Sequence, residues 1–105
     1  MNKYERLREA LEKDGTGKMK VFGNSMLPLI KSGSLLTFEK QESYEIGDIV
    51  YSKVKGRHID AHKITKMDLQ KGVMIANNQG YENGWTKTIY GKVTVAEIND
   101  EIRYF

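Results

Sequence analysis

The spacing of apolar residues divides the chain into two unequal parts. Over residues 2–14 the apolar positions recur at helical intervals: Tyr4, Leu7 and Leu11 share a face, with Ala10 beside them. Glu9 and Lys13 form a favourable i,i+4 pair, and Gly15 supplies a stop. This predicts one amphipathic helix, too short to stand alone and in need of a surface to cover. After Gly15 the pattern changes to short strand-like runs bounded by Gly, Asn or Asp. Strands are expected over 19–22, 35–39, 48–55, 58–67, 72–77 and 86–98, with 101–104 as a last candidate. "VKGRH" around Gly56 and "LQKGV" around Gly72 read as hairpin turns. "NNQGYENGW", residues 77–85, is rich in turn formers and is expected to be the longest irregular segment. The pattern as a whole predicts one domain over residues 1–105. It is mostly β, with coiled antiparallel sheets over about 19–105 and one N-terminal amphipathic helix over about 2–14.

Composition narrows this little. A chain of 105 residues can bury a core without covalent staples. It contains no cysteine, so neither a disulfide framework nor a thiolate metal site exists. The net charge is +3, from 17 basic and 14 acidic residues, and the charges are interspersed. There is no polybasic run and no basic-aromatic stripe, which argues against a nucleic-acid partner. No stretch approaches the roughly 18 apolar residues of a spanning helix, and the charged N-terminus does not read as a signal peptide. A cytoplasmic location is expected.

The candidate chemistry sits in "GNSMLPLIKSG", residues 23–33, where Ser25 precedes Pro28. Ser25 reads either as a turn or N-cap residue or as a nucleophile on a bend. A serine hydroxyl needs a base to take its proton, and the only histidines are His58 and His62 in "HIDAHKITK". On a regular strand His58, Asp60 and His62 share one face and Lys63 points to the other, so His62 and Lys63 cannot both address Ser25 without a bulge. Each histidine also reads as an ordinary strand or surface residue. Three ligands at i, i+2 and i+4 on one strand meet a single zinc only if the strand bends, so no metal is expected. Trp85 and Tyr81 read as core or loop anchors, or as lining of a peptide groove.

Four segments in order, "GNSMLPLIKSGSLLTF", "YEIGDIVYSKV", "DAHKITK" and "NNQGYENGWTKTIYGKV", resemble the signal peptidase and LexA-type serine peptidases. The resemblance covers roughly residues 19–93 and implies the coiled β fold of the LexA C-terminal domain and signal peptidases. It implies Ser25 as nucleophile, His62 as general base in the variant that has His where others have Lys, and the backbone N–H of Ser25 as an oxyanion donor. Asp60 and Lys63 are supporting candidates. It implies a peptide or protein substrate, no cofactor and no metal. Two positions depart from the pattern: Ala76 stands where His-type relatives carry an Asp, and Gly23 where some carry a hydroxyl. Asp60 or Glu82 is then left to orient the imidazole. The 22 residues ahead of the box offer no room for a spanning helix or a DNA-binding domain, so a freestanding catalytic core, or a derivative of one, is expected.

The leading expectation is therefore a serine endopeptidase using a Ser25–His62 dyad on an extended peptide. The alternative is a catalytically inactive module of the same fold that binds a protein partner. A weaker third reading is regulation linked to DNA through homodimers, as LexA-like domains pair.

Overall fold

The N-terminal helix is closed at both ends by its own sequence. A computed structural model describes residues 1–105, and in it α1 runs over Lys3–Asp14. The Asn2 side chain accepts from the Glu5 N–H, and Gly15, at φ 75°, donates its N–H to the Leu11 carbonyl. Leu7 and Leu11 are buried, as the apolar spacing predicts. Gly17 allows the close seat: a Cβ there would lie 2.9 Å from Leu7 Cδ1 and 3.0 Å from Ala10 Cβ.

Eight strands follow: β1 Thr16–Lys20, β2 Leu35–Glu39, β3 Ile49–Val54, β4 Arg57–Asp68, β5 Gly72–Ala76, β6 Glu82–Thr86, β7 Ile89–Ile98 and β8 Glu101–Tyr104. All pairings are antiparallel, in the order β1-β2-β7-β3-β4-β5-β6, with β8 paired to the far end of β7. The mostly β architecture with one helix is as expected. Three boundaries differ, one of them the last long strand, which begins at Ile89 rather than at 86. The first strand begins at Thr16, three residues early. The segment read as irregular, 77–85, contains most of β6, because pairing with β5 overrides the weak local preference of Glu-Asn-Gly for a strand. No helix is long and apolar enough to cross a membrane.

The sheet coils around two apolar clusters. The larger joins Leu7 and Leu11 to Met19, Leu36, Phe38, Tyr51, Ala61 and Val93, together with Met26 and Ile30 of the serine loop. The smaller holds Val50, Val54, Ile64, Val73 and Ile75. β-Bulges interrupt most of the ladders and allow this curvature. One of them matters for the site. Val50 pairs with His62 and Ser52 with Ile59, so Asp60 and Ala61 together oppose the single residue Tyr51. Leu11 is 1% exposed in the larger cluster. Leu11→Ala is expected to cost about 2–5 kcal/mol, read as a lower urea midpoint with an unchanged slope.

Candidate functional site

Residues 23–30 form a tight loop whose base is closed by two backbone bonds, Val21 N–H to the Ser34 carbonyl and Gly33 N–H to the Val21 carbonyl. Within it Leu27 N–H donates to Asn24, and Leu29 and Ile30 N–H donate to Met26. The Leu27–Pro28 peptide is cis. Met26 and Ile30 plug the loop into the larger core, which leaves Ser25 facing outward above β4. Neither the Ser25 hydroxyl nor its N–H is engaged by another protein group.

A second loop, 77–80, holds the serine loop in place. Asn78 N–H donates to the Ser25 carbonyl at 2.9 Å, and Asn78 Nδ2 donates to the Leu27 carbonyl at 2.8 Å. Gln79 Nε2 reaches the Asn24 carbonyl at 3.2 Å. The far side of Asn78 is held from β4, where Lys63 Nζ donates to Asn78 Oδ1 at 2.7 Å. Arg103 of β8 braces the other flank through the Pro28 and Leu29 carbonyls.

Ser25 and His62 line one cleft of about 180 Å³, together with Val21, Phe22, Met26, Ala61 and Asn83. The cleft follows β4 where that strand is unpaired on one side: β5 begins its pairing only at Lys63, so Arg57–His62 offer a free edge. Burial holds the His62 imidazole below its ordinary value, against the opposing pull of the Asp60 carboxylate and the Ala61 carbonyl. The ring is therefore neutral at physiological pH, the state a general base requires. Its Nδ1 is buried and has no side-chain hydrogen-bond partner.

The bulge changes the expected arrangement of the HIDAHK segment. His58 pairs with Lys53 and His62 with Val50, three residues apart on β3, so the two histidines fall on opposite faces rather than on one. His58 borders the cleft from its other end and joins an aromatic stack. Its ring lies 4.9 Å from Tyr4, nearly parallel, and its Nδ1 shares a hydrogen bond with the Tyr51 hydroxyl at 2.7 Å. Burial, then Lys53 and Arg8, depress its pKa against the opposing pull of Asp60 and Glu5, and burial with a hydrogen bond to Asp60 pushes Tyr4 up to about 12. No group of three metal-ligating side chains exists.

The supporting candidates separate in the same way. Lys63 is committed to Asn78 and does not line the cleft, so it acts on the serine loop as a brace. Asp60 lines the cleft but makes no hydrogen bond to His62, and influences it only through its charge. Glu82 pairs with Lys66 at 3.0 Å and stays outside. Ala76 is buried and offers no acceptor. Trp85 lies under Lys71 and Tyr81 is exposed, and neither lines the cleft. Sequence reasoning missed Asn78, Asn83 and Phe22. Asn78 and Asn83 sit in a stretch that reads as turn, and only tertiary pairing gives them a place. A larger hollow, about 260 Å³ between Pro28, Ala96 and Arg103, brings no histidine near a serine.

The family model described as Peptidase S24-like matches residues 2–94 of the chain. No curated protein matches it. Whatever the loop does, Asn78 is its main tether. Asn78→Ala should cost about 1 kcal/mol and speed amide hydrogen exchange at residues 25–30, while β7 keeps its protection.

Proposed function

The chain belongs to the peptidase S24-like family, and from that membership we propose that it is a serine endopeptidase acting through a Ser25–His62 dyad. The observation that carries the reading is the shared cleft: an unengaged serine hydroxyl and a neutral, desolvated imidazole line the same hollow beside a free strand edge. A peptide lies extended along Arg57–His62 and pairs with that edge, as peptide ligands of sheets do. Ser25 Oγ attacks the scissile carbonyl carbon while His62 takes the hydroxyl proton. The Ser25 N–H donates to the oxyanion that forms. Collapse breaks the C–N bond, and His62 returns the proton to the leaving amine. Water, deprotonated in turn by His62, then releases the acyl group and restores Ser25.

The reading of the chain as a non-catalytic module that binds a protein partner is favoured by one observation, the missing partner on His62 Nδ1. Cleavage of a peptide library separates the two. Ser25→Ala and His62→Ala should each reduce turnover by at least about 10³-fold, and Ser25 should be labelled by an acylating serine probe. Tight peptide binding with no labelling and no turnover gives the module reading instead. The pH profile is a second check. A base with a depressed pKa stays competent as pH falls until its own midpoint is reached. The acid limb of kcat/KM should therefore lie below the ordinary histidine value of about 6.5 and disappear in His62→Ala.

A further inference from the structure

One carboxylate in the cleft has no counter-charge. Of the 12 residues that line the cleft, Asp60 is the only Asp, Glu, Lys or Arg. The two histidines there are neutral at physiological pH, because burial holds both below the ordinary imidazole value. Asp60 is half-buried and makes no ion pair: the pairs in this protein join Lys18 to Glu97, Lys31 to Glu101, Lys66 to Glu82 and Lys92 to Asp48. The Tyr4 hydroxyl donates to it, which leaves most of the acceptor capacity of a carboxylate open. The cations nearby do not fill that capacity. Lys3, whose Nζ lies 5.5 Å from the centre of the Phe22 ring, donates to the Lys20 carbonyl, and Arg8 and Lys53 do not line the cleft. A carboxylate held half out of water without a counter-ion is unfavourable for the free protein, and a visiting cation relieves it.

We propose that Asp60 sets the specificity of the cleft: it takes the charged end of a Lys or Arg side chain on an extended peptide, two residues from the bond that Ser25 attacks. This rests on the dyad reading above only for the place of the cut. Asp60 precedes His62 by two residues of extended chain, roughly 7 Å. A peptide paired with the free edge Arg57–His62 runs at the same spacing. The register break opposite Tyr51 falls at Asp60 and Ala61, and both line the cleft although neighbours on a regular strand point to opposite faces. The walls suit a long basic side chain. Phe22, 67% exposed, and Ile59 offer apolar surface to its methylenes while its charged end reaches the carboxylate. An acidic side chain at the same place meets a like charge and is refused.

The test is a peptide library followed by charge substitution. Peptides cleaved by the parent protein should be enriched in Lys and Arg two residues from the cut. In a pair of peptides made from one cleaved sequence, with Lys or Glu at that position, kcat/KM should favour Lys about tenfold, mostly through KM. The preference should vanish in Asp60→Asn, reverse in Asp60→Lys and weaken as salt is added. Each ratio is taken within one variant, so any change that Asp60 makes to His62 through its charge cancels. Should Asp60→Lys fail to fold, the nearly isosteric Asp60→Asn decides alone. A cleaved set without basic enrichment, or a Lys preference that survives in Asp60→Asn, overturns the proposal and leaves the dyad in place. If the parent cleaves nothing, the dyad reading falls, and the same library is read by retention on immobilised protein. Lys and Arg enrichment on the parent but not on Asp60→Asn then upholds the pairing, whereas equal retention by both, or none, overturns it.

Discussion

Asp60 and Ala61 share a single partner, Tyr51, and the character of the cleft follows from that mismatch. A regular ladder would carry both histidines of β4 on one side of the sheet. The extra residue reverses the alternation between them. His58 is sent to the aromatic stack of Tyr4 and Tyr51, where it ties α1 to the sheet. His62 sits deeper in the cleft that both histidines border, in surroundings dry enough to keep it neutral. β5 ends at Ala76, opposite Lys63, and so leaves Arg57–His62 unpaired on that edge.

Neighbouring residues on β4 thereby take different work. Lys63 spends its charge on Asn78 and so on the carbonyls of the serine loop, which it reaches without entering the cleft. His62 keeps its Nδ1 buried and free of any side-chain partner. A lysine in the cleft would need a much larger desolvation to serve as a base than an imidazole does, because its ordinary pKa of about 10.4 lies far above neutrality. The modest burial of this small domain suits histidine.

Much of this was legible in the residues and some was not. The Tyr4, Leu7 and Leu11 stripe predicted α1 with its buried face, and the Gly-bounded apolar runs predicted most strands. The motif from Gly23 to Pro28 marked the loop that the fold sets above β4. The bulge left no trace in the sequence, since HIDAHK reads as a clean alternation and nothing local distinguishes Asp60 from its neighbours. The register break therefore separates His58 from His62 along the ladder, although His58, Asp60 and His62 all border the one cleft. The asparagines were lost for a related reason. Asn78 and Asn83 lie among Gly and Gln in a stretch whose composition signals a turn. What gives them a task is contact with residues far away in sequence: Leu27 for Asn78, and the cleft of His62 for Asn83.

The open rim of β4 has a consequence for what can enter. Six residues of extended backbone span roughly 20 Å, and the serine loop on one side and Asn83 on the other leave a slot of limited volume. A helix, whose amides are already paired internally, has nothing to offer such a rim, and a folded hairpin is too bulky to descend into it. Anything that docks there has first to surrender its own local structure over a short stretch. Mobility of the visiting segment would then govern admission before any side chain was read, so the same motif would be invisible in a well-folded protein and accessible in one that had begun to loosen.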